Sequence, residues 1–600
     1  MKGYKQLIGF YWVKIVLVMY IGFQLRPPQW TDHIFLVIAI IGPLMLAFSL
    51  PLFLPRRFQQ LGFLLEMFFI TSWIYAHLLY YRFYEDFMTL TILLQVGNVG
   101  GLSRSTWELF STWDLLFFAD IVFMGWLLLK KESRTISLPS KKRYLSVSVG
   151  LTTLIIVSAV IYKPYVLEER YNRTQLVQTM SLFTYQIIDI GQSLSAPAFK
   201  WMAGPEDTDS MQAFMHKQEN ESTQWFGKAE EMNVVFIALE SVQDFVIDLK
   251  VDGREVTPFL NRIKQESFYF SNIYEQTAQG KSSDAEFMID TGLYPLDGGS
   301  VFVRRPKYTY HGLPELLENY QANIFHGNER TFWNRDEMYA SLGYDHFYSE
   351  RDYHVTEENS VNYGLKDHQF FEQSISMLGK MNPPYIAKFI TLTNHFPFLL
   401  DEEDRSLQTE ATSEPVVNRY LSTVHYLDQA VKSFFERLKE EGLYENTMFV
   451  LYGDHYGVST EYEDGLYELL NQPDTPLSHV KNQRVPVLIH IPDLEGESID
   501  EVAGQIDIRA TVLHLLGKET EDYMSFSENL LTENHDGLVV FRNGDYISES
   551  TMYTNGQCYE TGEEKLLPEG DCQEERKQAR NELQLSDRVI KEDLLRYMDE

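Results

Sequence analysis

Cysteine is nearly absent from this chain. Only Cys558 and Cys572 occur in 600 residues, which excludes a thiolate zinc cluster and a Cys-rich scaffold. In an oxidising space the two could close a short loop worth up to roughly 3 kcal/mol; two free thiols are the other reading. Basic residues are also scarce, with 51 Lys and Arg against 85 Asp and Glu and a formal charge of −34. Phosphate backbones are bound by Lys and Arg, so nucleic acid is excluded as a partner. Any anionic substrate must be held by local cations rather than by the overall field.

Apolar residues, in contrast, come in long runs. Five stretches in the first 165 residues, at 7–25, 33–54, 61–81, 113–129 and 144–162, approach the ~20 residues a helix needs to cross a bilayer. Four further spans after the first argue against a cleaved signal peptide. Lys2 and Lys5 precede span one, Arg56 and Arg57 follow span two, and Lys130, Lys131, Arg134, Lys141, Lys142 and Arg143 separate spans four and five. The positive-inside rule puts these segments in the cytoplasm, so the N-terminus is cytoplasmic and everything after span five is exported. Residues 88–112, with Gly97, Gly100 and Gly101, read either as a re-entrant or interfacial segment or as an extracellular loop. Residues 166–230 read as an extracellular linker, helical and amphipathic over 166–195 and acidic over 204–221. Within it, Ser195-Ala196-Pro197-Ala198 has the small residues a signal peptidase accepts, although Pro197 opposes release of the exported part there.

From Asn233 onward, short apolar strands alternate with amphipathic helices, the pattern of a mainly parallel sheet covered on both faces. The strand at 234–239 runs into Glu240-Ser241, and that at 323–325 into His326-Gly327. The strand at 386–392 runs into Thr393-Asn394-His395, and that at 447–452 into Gly453-Asp454-His455. A fifth, at 485–491, lacks such an ending. Open α/β sheets place their sites at the carboxyl ends of strands, so four such endings point to one rim. Val424, Leu427, Val431, Phe435 and Leu438 recur at helical spacing before Gly442, and Asp507 caps a helix through Leu513 and Leu516 to Gly517; both stripes are core. This divides the chain into a five-span domain (1–165), a linker (166–230), an α/β domain (231–530) and a small α+β part ending in a helix (531–600).

Gln279-Gly280-Lys281-Ser282-Ser283-Asp284 leads into an apolar run, which places Ser282 near the first turn of a helix. Unpaired N–H groups there favour an alkoxide or a phosphate, while Ser283-x-x-Glu286 also fits a capping box. Glu240, Ser282, Asp454 and His455 together offer three oxygens and one nitrogen, a set suited to Mn²⁺, with Mg²⁺ or Zn²⁺ as alternatives. Such an ion would lower the pKa of the Ser282 hydroxyl, with Lys281 adding positive potential. His395 and His326 are candidates for moving protons, Arg335 for clamping the nonbridging oxygens in bidentate fashion, and Trp333 for walling the pocket.

These motifs resemble the lipoteichoic acid synthases, membrane-anchored phosphoglycerol transferases of the alkaline phosphatase/sulfatase superfamily. The likeness is densest in Leu239-Glu240-Ser241, Gly280-Lys281-Ser282, Phe325-His326-Gly327-Asn328, Phe332-Trp333-Asn334-Arg335, Thr393-Asn394-His395-Phe396-Pro397 and Gly453-Asp454-His455-Tyr456-Gly457. It implies a sulfatase-like fold and Mn²⁺ on Glu240, Asp454, His455 and the nucleophile. It also implies a glycerol-phosphate pocket of His326, Trp333, Arg335, His395 and Ser459. The family's nucleophile is typically Thr, so Ser282 is a departure. The implied reaction moves sn-glycerol 1-phosphate from phosphatidylglycerol, through a hydroxyl-linked intermediate, to a lipoteichoic acid chain or its glycolipid anchor. The setting would be the membrane of a Gram-positive bacterium, with other cell-envelope synthesis proteins as candidate partners. Three alternatives stand beside it: a primase adding only the first unit, a phosphoethanolamine transferase, and a catalytically silent polymer-binding scaffold. A formylglycine sulfatase is disfavoured, because no Cys or Ser followed by x-Pro-x-Arg stands at the nucleophile.

Overall fold

A computed structural model describes residues 2–94, 108–129, 140–167, 169, 171–215, 223–362, 364–520, 522–533, 535–563 and 565–598. The glycines of the 88–112 segment, and Lys130, Lys131 and Arg134 of the basic loop, lie outside the described residues. Contacts divide the chain into two units, the first ending at Ser195 and the second beginning at Ala196.

The first unit is helical: α1 (Lys2–Leu17), α2 (Trp30–Ile38), α3 (Ile41–Ala47), α4 (Gln59–Tyr84), α5 (Ala119–Leu129), α6 (Lys141–Tyr162), α7 (Arg173–Met180) and the start of α8 (Leu182–Met202). Among the described residues, four segments are long and apolar enough to cross a bilayer: Lys5–Gly22, Trp30–Phe53, Arg56–Tyr84 and Lys141–Tyr162. They coincide with expected spans one, two, three and five. The stretch expected as span four opens with a 3₁₀ turn, Thr112–Phe118, and continues as α5 to the edge of the described residues. It is tied to its neighbours by polar contacts. Lys14 on α1 pairs with Asp120 at 2.9 Å, and Arg82 on α4 donates two hydrogen bonds to Asp114 at 2.8 and 2.9 Å. Charges at membrane depth persist when paired in this way. Gly42 lets α3 approach α6 closely, since a Cβ there would lie 2.8 Å from the backbone N of Thr152.

This unit extends to Ser195, past the expected boundary at 165. Val166, Leu176, Val177, Met180, Leu182 and Tyr185 share one apolar core with Tyr11, Phe23 and Met67 of the spans. The amphipathic pieces read as linker therefore have an apolar face with somewhere to go.

In the second unit an eight-stranded sheet comprises β1 (Asn233–Leu239), β2 (Phe268–Phe270), β3 (Gln321–His326), β4 (His346–Tyr348), β5 (Tyr385–Ile390), β6 (Thr447–Gly453), β7 (Val487–His490) and β8 (Ser498–Ile499), in the order β8-β2-β7-β6-β1-β5-β3-β4. β6, β1, β5, β3 and β4 run parallel, and β7 alone runs against the rest. Every residue of β1, β5 and β6 is buried, as strands covered on both faces require. The helices that matter below are α9 (Ser282–Thr291), α10 (Arg335–Ser341), α11 (Asp367–Leu378), α12 (Pro415–Glu440), α13 (Ile508–Leu515) and α14 (Gln573–Glu592). The expected stripe on α12, Val424 through Leu438, is buried, and Gly442 with φ 69° follows its end.

At the C-terminus, β9 (Val539–Val540), β10 (Tyr546–Ile547), β11 (Thr551–Thr554), β12 (Gln557–Glu560) and β13 (Leu566–Leu567) form an antiparallel sheet beside α14. Cys558 on β12 is bonded to Cys572 just before α14, and both are buried. Of the two readings left open for these cysteines, the closed loop is the one found.

Candidate active site

Because β1, β3, β5 and β6 are parallel, their carboxyl ends share one edge, and the residues that follow them meet there. β7 runs the other way, so its carboxyl end lies on the opposite edge. This accounts for its lack of a comparable ending.

Ser282 opens α9 and reaches this rim. Its Oγ lies 3.3 Å from Glu240 Oε2 and 3.3 Å from His455 Nε2. His455 Nε2 is 3.5 Å from Glu240 Oε1 and 3.7 Å from Asp454 Oδ2. One ligand atom each from Glu240, Asp454 and His455 falls within 4.8 Å of the others, and all three residues are buried. Several features fit a divalent cation. Asp454 Oδ2 is buried without a hydrogen-bond partner, an expensive state for a carboxylate oxygen. His455 Nδ1 donates to the Tyr456 carbonyl at 2.7 Å, which turns the lone pair of Nε2 toward the cluster. Burial, and then the charge of Asp454, push the Glu240 carboxyl well above the usual range. Crowded carboxylates facing an imidazole lone pair are the arrangement a divalent metal relieves.

A second layer holds these groups in place. Thr391 Oγ1 accepts the Glu240 N–H at 2.9 Å, and Asn394 Nδ2 donates to the Glu240 carbonyl at 2.8 Å. Thr423 Oγ1 fixes Asn394 in turn, at 2.5 Å. Asp454 Oδ1 accepts the N–H groups of Ser241 and His455 at 2.7 and 2.9 Å. Gln505 Nε2 donates to the carbonyls of Gly453 and Asp454. Gln243 Oε1 accepts from Gly457 and Val458, shaping the loop that leads to Ser459. Apart from the contact between the neighbours Asp454 and His455, these supporting roles are not visible in the sequence, because the partners are distant along the chain.

The loop before α9 differs from the capping-box reading. Ser283 Oγ donates to the Gly280 carbonyl and meets Ser300 Oγ, and Glu286 turns elsewhere. The loop is shaped instead by Asp284, whose Oδ2 accepts the N–H groups of Ala278 and Gly280 at 2.9 Å each. A Cβ on Gly280 would stand 2.1 Å from Asp284 Oδ1, so any larger residue here would displace the carboxylate that shapes the loop. Burial pushes the Asp284 carboxyl up to about 7. Lys281, with φ 47°, places its ammonium 3.3 Å from the ring centroid of Tyr456, a cation–π contact at the start of α9.

Ser282, Glu286 and Asp290 follow one another at i, i+4 and i+8, one polar face of α9. Glu286 receives Arg335 Nε at 3.0 Å and Nη2 at 2.5 Å, together with the Tyr339 hydroxyl. Asp290 pairs with Lys388 of β5 at 2.6 Å and accepts the Tyr344 hydroxyl at 2.7 Å. The helix that carries Ser282 is thus tied to α10 through Glu286 and to the sheet through Asp290, by buried charge pairs.

Of the residues expected to hold glycerol phosphate, His326, Arg335 and His395 fall on or near this rim. His326 donates Nδ1–H to the Ile390 carbonyl at 2.9 Å, and its Nε2 lies 3.4 Å from Arg335 Nη1. Burial, then Arg335, hold its pKa down at about 3. His395 donates Nδ1–H to the Phe396 carbonyl at 2.8 Å, and burial lowers it to about 4. Arg335 does not stand open as a bidentate clamp, because its Nε/Nη2 edge is engaged by Glu286. Nη1 is the edge turned toward His326. Trp333 is half-buried with φ 58°, and Ser459 is buried at the turn Thr460–Tyr462.

A family model described as sulfatase matches residues 232–518, and another, the lipoteichoic acid synthase N-terminal domain, matches residues 4–200. Lipoteichoic acid synthase 2 of Bacillus subtilis (strain 168) is 36% identical over 598 residues, covering 98% of this chain and 92% of its own. The chain belongs to the lipoteichoic acid synthase family. A lipoteichoic acid synthase-like protein of the same bacterium, YvgJ, is 37% identical over 608 residues, with 99% and 98% covered. The lipoteichoic acid synthase of Staphylococcus aureus (strain USA300) is 33% identical over 598 residues, with 98% and 93% covered. Among solved structures, the lipoteichoic acid synthase LtaP from Listeria monocytogenes superposes with a TM-score of 0.58 at 24% identity, covering 63% of this chain and 97% of its own. The phosphoethanolamine transferase EptA from Neisseria meningitidis gives 0.51 at 15% identity, with 85% and 95% covered. At these identities the two structures speak for the fold. That fold, apolar N-terminal helices followed by a sulfatase-like domain with a mainly parallel sheet, is the one expected for this lipoteichoic acid synthase family member.

Proposed function

We propose that this chain is a metal-dependent phosphoglycerol transferase of lipoteichoic acid synthesis, with Ser282 as its nucleophile. The observation that carries this reading is Ser282 Oγ at 3.3 Å from both Glu240 and His455, within the one His/Asp/Glu cluster of metal-ligand geometry among the described residues. Glu240, Asp454, His455 and Ser282 would hold the ion, and we assign Mn²⁺, with Mg²⁺ and Zn²⁺ also suited to the donors. When bound, the ion lowers the pKa of the serine hydroxyl and offsets charge on the phosphoryl oxygens.

Outside the cell no nucleotide is at hand, so the reaction exchanges one phosphodiester for another. Ser282 Oγ bonds to the phosphorus of phosphatidylglycerol, the bond to the diacylglycerol oxygen breaks, and that oxygen takes a proton. A hydroxyl of the glycolipid anchor or growing chain then loses its proton and attacks the same phosphorus, the bond from Ser282 Oγ to phosphorus breaks, and Ser282 recovers its proton. We assign the incoming hydroxyl's proton to His395, which burial keeps neutral at pH 7. His326, Arg335 Nη1, Trp333 and Ser459 would line the glycerol-phosphate pocket, with Lys281 adding positive potential beside the nucleophile. The catalytic part faces outward from the membrane of a Gram-positive cell, with the N-terminus inside. Residues 195–198 lie within α8, so release by cleavage there would require the helix to unwind.

The test is incubation of the full-length protein in vesicles with labelled phosphatidylglycerol, with and without glycolipid acceptor. Wild type forms a Ser282 adduct heavier by one glycerol phosphate and passes it to the acceptor; Ser282→Ala does neither. Full transfer by Ser282→Ala would end the proposal. An adduct heavier by one phosphoethanolamine would identify the rival transferase, and addition of a single unit would identify a primase.

A further inference from the structure

The second helix after the last span, α8, is built inside out. Along the first turns of α8 the polar side chains turn inward. Asp189 is 7% exposed and accepts the Leu90 N–H at 2.6 Å and Gln186 Nε2 at 3.0 Å. Gln186 Oε1 meets His77 Nε2 of α4 at 3.0 Å, and Thr184 is buried as well. On the outward side the exposed positions 187, 190, 191 and 194 are Ile, Ile, Gly and Leu. Ile187 is 61% exposed and Leu194 73%. A helix facing water shows the opposite distribution, with its charges outside and its aliphatic side chains within.

We propose that the outward face of α8 over residues 187–194 is a lipid-contact surface whose occupants are phospholipid acyl chains. The membrane-buried part of the chain would then continue past the last span. Continuity with the spans favours lipid over a protein partner. Leu182 and Tyr185, on the inner side of the same helix, belong to the apolar core of the membrane helices. Phe183 packs on Trp73 of α4 with ring centroids 5.0 Å apart, and the Tyr185 hydroxyl donates to the carbonyls of Phe87 and Met88. The exposed positions 187, 190, 191 and 194 carry no charge, no hydrogen-bonding side chain and no aromatic or Arg anchor of the kind that dominates protein interfaces. Aliphatic side chains alone suit hydrocarbon, where no directional partner is available.

Both native cysteines are bonded to each other, so single-cysteine variants can be labelled selectively. Ile187→Cys and Leu194→Cys, with Ser376→Cys on an exposed position of the catalytic part as control, are made in the full-length protein and labelled with an environment-sensitive fluorophore. Each is placed in phosphatidylcholine–phosphatidylglycerol vesicles. Labels at 187 and 194 should show blue-shifted emission, quenching by lipids carrying acyl-chain nitroxides, and shielding from aqueous iodide. The label at 376 should show the reverse. Quenching of 187 and 194 by iodide to the extent seen at 376 would overturn the proposal. So would disulfide cross-linking of Leu194→Cys between copies with no response to lipid nitroxides, which would make a second copy the occupant.

Discussion

Arg335 and Glu286 form a buried pair in which the guanidinium donates Nε at 3.0 Å and Nη2 at 2.5 Å, with both side chains sealed from solvent. Glu286 stands one helical turn after Ser282, so the residue that sets the orientation of Arg335 lies on the same helix face as the nucleophile. Removing one member of such a pair leaves an uncompensated charge, at a cost of about 3–5 kcal/mol. Glu286→Gln should therefore lower both thermal stability and the rate of transfer. Tyr339→Phe, which removes one hydrogen bond to the same carboxylate, should cost about 1.5–3 kcal/mol. Equal losses in thermal melts of the two variants would show that the charge pair is not what matters.

Chelation should abolish transfer, and Mn²⁺ should restore it. A ligand at 100 times its Kd stabilises the folded state by about 2.7 kcal/mol, so metal should also raise the melting temperature of the full-length protein. Glu240→Gln and Asp454→Asn should fold and lose that rise. A variant that kept it would place the ion elsewhere.

Ser282→Thr should retain transfer within about tenfold, since the two hydroxyls differ by one methyl that stiffens χ1. Steady-state transfer measured beside wild type and Ser282→Ala separates tolerance of the methyl from loss of the nucleophile. A variant as inactive as Ser282→Ala would mean that the pocket excludes the methyl.

His326 has a folded pKa of about 3 against about 6.5 unfolded, because burial and Arg335 disfavour its charged form. Between these values the unfolded chain binds the extra proton. The contribution of neutral His326 is therefore fully present above pH 6.5 and is lost as pH falls toward 3. Denaturant unfolding of wild type and His326→Asn across pH 7 to 4 should converge by a few kcal/mol on acidification. A constant difference between them would contradict the assignment.

The Cys558–Cys572 bond closes a loop with a sequence separation of 14. Cys572→Ser should lower unfolding stability by about 3 kcal/mol in a denaturant titration. An unchanged midpoint would place the C-terminal sheet outside the cooperative unit.

Much of this molecule could be read from its residues alone. Span-length apolar runs, continuous apolar strands and strand-end carboxylates are local signals, because hydrophobic length and strand polarity need no partner to be seen. They sufficed for spans one, two, three and five, the mainly parallel sheet and, with the glycine-led start of α9, the meeting of Glu240, Ser282, Asp454 and His455. Strand direction could not be read in this way: β7 has the same apolar pattern as its neighbours, and only pairing decides which edge its end reaches. The partner of Arg335, the state of the two cysteines and the docking of α7 and the start of α8 onto the membrane helices were likewise settled by tertiary structure. Each depends on groups brought together across tens or hundreds of residues. Burial then makes an unpaired charge or N–H too costly to leave, and so selects the one partner within reach.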